Sequence, residues 1–403
     1  MIHLLALIPV ALIYLVFSQP SVRELRFFSL LPYSSFLFFA LLVVVAILLY
    51  ALRKALARRM SYAALLLGLN LGYYIFLFPQ PLHALLFAGY FYAFYYLVKA
   101  SSRRLGTPEA LFFTLLPMLV ARSTREIQFV GLSYITFRAY HLVSDGPYME
   151  RLSPGRYFSF LMFFPALLAG PIDRWQSFGA QLKDGFLRLT SERLASGYRL
   201  ILLGACMKFV VGDLLQKYFL TGGWSRPGLF FAEFYGYSLF LYFDFAGYSV
   251  MAIGAGLMLG ILLPENFNRP YLSCNPQDFW RRFHITLGDW LKDYFFKPIY
   301  KALHALPGLA SRPLLKQNTA IFFTFVLMGC WNGLKAHYLI SGALFGSYSV
   351  VYNSWVYWCK RRGGAAPQLF GNPTWTRAAA IFVTVNACCL ALYFFGGRTE
   401  LFQ

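Results

Sequence analysis

Apolar runs close to the length of a membrane crossing recur along the whole chain, and they limit its possible folds more than any other feature. They cover residues 1–17, 34–52, 63–78, 82–98, 111–120, 129–143, 158–170, 200–220, 229–263, 319–351 and 378–395. A spanning helix needs about 20 such residues to cross roughly 30 Å of hydrocarbon. The first run also reads as a signal peptide. It has no basic start and no small-residue cleavage site before Ser18-Gln19-Pro20, so it is taken as a span. Pro117, Pro165 and Pro171 each remove a helical hydrogen bond, and several runs are short for a simple crossing. Irregular backbone survives at membrane depth only inside protein or along a wet cavity. The expectation is an all-α polytopic membrane protein, a single integral domain over 1–403, with re-entrant elements and a polar interior path. No repeat of fixed period is present, which argues against a transporter built from two halves.

Composition excludes the alternatives. Only 13% of the chain is charged and 59% is hydrophobic, whereas a soluble domain carries roughly a quarter charged residues. A soluble enzyme, a disordered tail and a DNA-binding domain all fit poorly. The net charge of +20 therefore reads as cytoplasmic loops rich in Lys and Arg, with an acidic docking partner as the second reading and no nucleic acid. Arg53, Lys54, Arg58 and Arg59 follow the second run, and Lys99, Arg103 and Arg104 follow the fourth, while the turn at 79–81 is uncharged. This asymmetry places the N-terminus in the cytoplasm of a multi-pass cell-membrane protein. Cys206, Cys274, Cys330, Cys359, Cys388 and Cys389 have no zinc-type spacing and read as small hydrophobes, so no metal is expected.

Two polar interruptions carry the chemistry. The first lies within 264–314, where LPENFNRPYLSCNPQDFWRRFHITLGDWLKDYFFKPIY is too polar to span and too aromatic for an open loop. Trp280, Phe283, Leu287, Leu291 and Tyr294 recur at helical steps, so 278–294 reads as one amphipathic helix of a re-entrant or interfacial insertion on the cytoplasmic side, lying in the interface plane or dipping into the protein. His284 falls beside that stripe, either as a structural histidine bonded to a carbonyl or as a functional one. Arg281 and Arg282 read as phospholipid contacts or as partner contacts. Upstream, Asp244 places a carboxylate in an apolar run, which is costly unless it is paired, for example with an arginine of the insertion. The second interruption, MGCWNGLKAHY at 328–338, sets Asn332, Lys335 and His337 in the middle of an otherwise spanning run. Asn332 and His337 are five apart, about 140° around a helix, so they do not share a face.

AGPIDRW (169–175), YFDFAGYS (242–249), NFNRPY (266–271), DFWRRFHITLGDWLKDY (278–294) and MGCWNG (328–333) occur in an order that resembles the membrane-bound O-acyltransferase family over 30–385. The D-alanyl-transferring branch is the more similar and the alginate O-acetyltransferase branch comes second. The resemblance implies a funnel of about 11 transmembrane helices, with re-entrant and interfacial helices, around a central tunnel. It implies transfer of an acyl group from a phosphopantetheine thioester on an acidic carrier protein, docked in the cytoplasm, to an envelope hydroxyl such as one of teichoic acid. No tightly bound cofactor is expected. A membrane-anchored extracytoplasmic acyl-handling protein and membrane lipid are the other implied partners. His284 matches one family histidine. At the family's W-H-G element this chain reads Trp331-Asn332-Gly333, and His337 follows five residues later.

Acyl transfer needs a base at the hydroxyl and donors at the developing oxyanion. His337 is assigned as the base, Asn332 holds the substrate carbonyl or orients the imidazole, and His284 seats the thioester. Trp331, Asp244, Trp280 and Tyr338 are expected along the tunnel. Arg281, Arg282, Lys292 and Lys297 are expected to contact the carrier or its phosphate. No serine elbow is present, so no covalent acyl-enzyme is expected. The rival readings are an acetyl-CoA-dependent exopolysaccharide acetyltransferase, a transporter, and a catalytically silent docking scaffold.

Overall fold

The computed structural model describes residues 33, 36–77, 89–96, 99, 112, 114–116, 118, 131–145, 152–220, 227–363 and 373–397. Its named helices are α1 (Phe36–Ala57), α2 (Tyr62–Leu77), α3 (Leu132–Ser144), α4 (Pro154–Leu161), α5 (Trp175–Lys183), α6 (Ser191–Ala205), α7 (Pro227–Met258), α8 (Pro276–Trp280), α9 (Ile285–Leu291), α10 (Lys297–Ala305), α11 (Pro313–Asn332), α12 (Ala336–Arg361) and α13 (Pro373–Phe395). No strand occurs among the described residues. One isolated antiparallel bridge joins Phe267 to Phe283. Among the described residues four helices are long and apolar enough to cross a membrane: Phe38–Ala57, Ser191–Leu220, Phe231–Met258 and Thr374–Phe395. The chain is an all-α polytopic membrane protein. The run at 1–17 and Pro117 lie outside the described residues.

The chain forms two compact units, the first from Met1–Ala205 with Tyr248–Pro264 and the second from Cys206–Gly247 with Glu265–Gln403. In the first unit the 158–170 run does not form a spanning helix. The helix α4 stops at Leu161, and Phe164–Ala166 makes a single tight turn around Pro165. Proline ends regular pairing there and leaves carbonyls pointing into an apolar interior. Buried side chains satisfy them. Arg138 of α3, 1% exposed, donates to the carbonyls of Phe160, Leu161 and Ala166 at 3.1, 3.2 and 3.0 Å. Asn70 of α2 donates to the Ser159 carbonyl and accepts from the Phe164 amide, both at 3.2 Å. The Tyr33 hydroxyl donates to the Pro165 carbonyl at 3.0 Å. His141 links the end of α3 to α5, its Nε2 accepting from the Trp175 amide at 2.9 Å and its Nδ1 lying 3.3 Å from Asp145.

In the second unit α11 and α12 form a close antiparallel pair joined by residues 333–335. Their approach depends on glycine. A Cβ on Gly329 would sit 2.3 Å from the Tyr338 carbonyl oxygen, and one on Gly342 would sit 2.6 Å from that of Phe325. Packed against α12 and α13 is an aromatic core in which Phe279, Phe283, Phe345, Cys388, Ala391 and Leu392 are buried.

Candidate active site

The polar insertion is not the single helix that its spacing predicts. It runs as α8, a non-helical break at 281–284, α9, and the π-helical Lys292–Phe296 leading into α10. The break is at His284, the N-cap of α9, whose backbone is left-handed at φ 51°, ψ 53°. A residue with a Cβ enters this region at a cost of about 1–2 kcal/mol, so its surroundings must hold it there. Asn266 and Asn268 do so from the NFNRPY segment. The Asn268 amide donates to the Arg282 carbonyl at 2.8 Å, and the Ile285 amide donates to the Asn266 carbonyl at 2.9 Å. The Asn266 side chain accepts from the Thr286 hydroxyl at 2.8 Å and from the Thr286 amide at 3.3 Å. Clamped on both sides, His284 has no helical alternative.

The imidazole of His284 stands edge-on to Phe245, ring centres 4.6 Å apart. Its Nε2 is enclosed and has no hydrogen-bond partner among the described residues, and the same holds for Nε1 of Trp280 one turn earlier. An orphaned buried nitrogen costs about 1–3 kcal/mol and calls for an explanation. Burial pulls the imidazole down from its ordinary 6.5 to about 3. This segment lies outside the four apolar spans.

That shift has a stability consequence. Below about pH 6.5 the unfolded chain takes a proton at this histidine and the folded chain does not, so stability falls as pH drops from 6.5 toward 3 and is unaffected above 6.5. Melting of the purified protein between about pH 4 and 8 should show a steeper acid loss for the native chain than for His284→Gln. Equal slopes would show that the ring is not held neutral.

The second interruption also departs from expectation. Asn332, Lys335 and His337 do not lie in the middle of a spanning helix. Asn332 is the exposed last residue of α11, Lys335 is the N-cap of α12, and His337 is the second residue of α12. The run breaks at Gly333, where a Cβ would press on the Tyr338 ring at 2.8 Å. At a helix end the polar groups avoid the cost that mid-helix burial in hydrocarbon would impose. The Asn332 amide donates to the Met328 carbonyl at 3.1 Å. Half-buried His337 has Nδ1 3.1 Å from the Phe395 carbonyl oxygen, and its ring packs on Tyr338 at 4.0 Å. A carbonyl only accepts, so Nδ1 carries the hydrogen, and in the neutral ring the lone pair is then on Nε2. Gly397 lies beside this ring, and its backbone, at φ 71°, is in the left-handed region that favours glycine.

Trp280 packs against Phe345 at 4.8 Å and Phe325 at 5.5 Å, which ties the His284 segment to the α11–α12 pair. His337 lies eight residues before Phe345 on α12, about 12 Å along the axis, so the two histidines sit at different levels of one unit. Asp244 does not pair with an arginine of the insertion. Its partner is Lys208, which the π-helical Cys206–Gly212 presents to it. Of the four basic residues expected at the carrier, Arg282 pairs with Asp278 at 3.0 Å and Lys297 with Asp293 at 2.7 Å. Arg281 and Lys292 are exposed and have no acidic partner among the described residues. No cluster of three or more His, Cys, Asp or Glu side chains is placed to hold a metal among the described residues. Sequence reading passed over Arg138, Lys208 and Asn266. A lone arginine inside the 129–143 run was the available signal for the first.

The left-handed histidine, its asparagine clamp and the glycine-packed hairpin all fall on segments with counterparts in known proteins. The family model described as MBOAT, the membrane-bound O-acyltransferase family, matches residues 123–362. A teichoic acid D-alanyltransferase of Bacillus subtilis (strain 168) is 34% identical over 286 residues, 68% of this chain and 69% of that protein. One from Streptococcus thermophilus is 29% identical over 315 residues, 71% of this chain and 74% of that protein. A probable alginate O-acetylase of Pseudomonas aeruginosa is 32% identical over 239 residues, 55% of this chain and 42% of that protein. With a family match that covers more than half of the chain and takes in both histidines, this chain belongs to the membrane-bound O-acyltransferases.

Proposed function

We propose that this chain moves a D-alanyl group from the phosphopantetheine thioester of an acidic carrier protein, across the cell membrane, to a hydroxyl of an envelope polymer such as teichoic acid. The choice of acyl group and acceptor rests on the two D-alanyltransferase relatives. The chemistry rests on one observation, the contact that fixes the hydrogen of His337 on Nδ1 and leaves Nε2 as a base. The acceptor hydroxyl gives its proton to Nε2 as its oxygen attacks the thioester carbonyl. The tetrahedral intermediate collapses, the C–S bond breaks, and the proton leaves with the thiolate as thiol. The amide of Asn332, at the same end of the α11–α12 pair, supplies through its second N–H a donor for the oxyanion. His284, neutral and with Nε2 unpartnered, seats the thioester arm.

Charge distribution supports the sidedness. The opposite ends of the same helices carry Arg312, Lys360, Arg361, Arg362 and Arg377, whereas near the His337 end the sequence has only Lys335 and Arg398 as basic residues. By the positive-inside rule His337 faces away from the cytoplasm, and the basic residues after the second and fourth apolar runs put the N-terminus inside. In this reading exposed Arg281 and Lys292 meet the carrier's acidic surface, and a membrane-anchored acyl-handling protein receives the product outside.

A second reading, O-acetylation of an exopolysaccharide, is favoured by the alginate O-acetylase relative. Sealed vesicles holding the chain separate the two. Supplied on the cytoplasmic face with a D-alanyl carrier-protein thioester, they should label an added polymer or the carrier's acyl recipient. Supplied with acetyl-CoA, they should not. Labelling from acetyl-CoA alone would replace the first reading with the second.

A further inference from the structure

A cavity in the first unit, at the basic end of α1, belongs to none of the chemistry above. It has a volume of about 380 Å³ and is lined by Tyr50, Arg53, Lys54 and Ala57 of α1, by Phe186, Leu187 and Leu189, and by Thr190 and Ser191 at the start of α6. We propose that this cavity binds the headgroup of an anionic phospholipid, with the phosphate between Arg53, Lys54 and the hydroxyls of Thr190 and Ser191.

The cations are placed for a ligand. Neither Arg53 nor Lys54 has an acidic partner among the described residues. The Arg53 guanidinium is stacked over the Tyr50 ring, 4.0 Å from its centre, and one nitrogen donates to the Tyr50 carbonyl. That leaves a pre-oriented fork with further N–H groups, which suits a phosphate, beside a mobile ammonium. The Thr190 hydroxyl oxygen accepts from the Arg193 amide at 3.3 Å as a helix cap, and its own O–H remains a donor. Glu192, the acidic residue of this first turn, is not among the lining residues.

The apolar part of the site argues for a lipid over free phosphate. Leu187, on the cavity wall, is 80% exposed. On α1, Val43 and Ile47 lie seven residues before Tyr50 and Lys54, two turns along the same two stripes of an apolar span, and Ile47 is 49% exposed. An acyl chain laid along Val43 and Ile47 brings its phosphate to Lys54 and Arg53 and covers Leu187. A free anion would leave all three apolar side chains in place and uncovered.

The test uses the full chain in neutral detergent, titrated with a fluorescent phosphatidylglycerol, with phosphatidylcholine as the uncharged comparison. Phosphatidylglycerol should bind about tenfold tighter or better, and Arg53→Gln with Lys54→Gln should remove that preference. Arg58→Gln with Arg59→Gln, which deletes the same charge from the same helix end outside the cavity, should leave affinity within about twofold. Lys54→Gln alone, at an exposed side chain, carries the test where the double variant fails to fold. Equal losses for the cavity and control variants would reduce the effect to general surface charge and overturn the site. Displacement of the lipid by inorganic phosphate at comparable concentration would overturn the assignment to lipid.

Discussion

Arg138→Met should leave little folded protein in the membrane, and what is extracted should melt far below the native chain. The residue is 1% exposed and its guanidinium serves three carbonyls of a segment that proline keeps out of a helix. Methionine fills a similar volume but donates nothing. Each abandoned carbonyl costs about 1–3 kcal/mol, and three together approach the whole stability of a typical domain, about 5–15 kcal/mol. Replacing a buried ion pair by apolar residues is often tolerated because both charges leave together. Here the acceptors are backbone and stay behind. Burial also pushes the carboxyl of Asp173 up to about 7, and the positive charge of Arg138 opposes that rise, so losing the arginine drives the carboxyl further toward its neutral form. Arg138→Lys should fall between, since one ammonium reaches fewer of the three oxygens. Thermal unfolding monitored by tryptophan fluorescence, with size-exclusion recovery, checks the ranking. A methionine variant melting within a couple of degrees of the native chain would show that the carbonyls find other partners.

For His337→Ala the expected loss is about 10²–10⁴ in transfer rate, with carrier binding retained. His337→Gln separates two roles. Its amide N–H can still meet the Phe395 carbonyl, but no basic nitrogen remains, so positioning is kept and proton transfer is lost. Transfer from a D-alanyl carrier in vesicles, read beside carrier affinity, distinguishes these cases. Asn332→His in the His337→Ala background adds a sharper control. Rescue there would assign the base to the W-H-G position, and full activity of His337→Ala itself would remove it from the mechanism.

The two histidines illustrate how much of the site was legible beforehand. Their identity and neighbourhood follow from residues whose chemistry is costly in an apolar chain, and these stand out in any reading. Their local geometry does not. Helical spacing from Trp280 to Tyr294 is real, yet the helix breaks at His284 because Asn266 and Asn268, some twenty residues away, supply hydrogen bonds that a continuous helix would leave unmade. In the same way the 319–351 run reads as continuous. Gly333, and the close approach of Tyr338 across the turn, decide that it is two helices with His337 at one end.

Sequence alone determined the solvent and the class. The balance of 59% hydrophobic against 13% charged residues cannot be covered with polar surface in water, and that argument depends on composition and run length, not on contacts. It also determined where the expensive polar groups lie, since a carboxylate or imidazole in an apolar run is visible without coordinates. Only the tertiary structure decided which partner each of them takes. Asp244 meets Lys208, Arg138 meets three carbonyls, and His337 meets Phe395, pairs separated by 36, from 22 to 28, and 58 residues. A charge or donor in a low-dielectric interior takes the partner that folding brings within about 3 Å, and no local pattern encodes which distant carbonyl or carboxylate that will be.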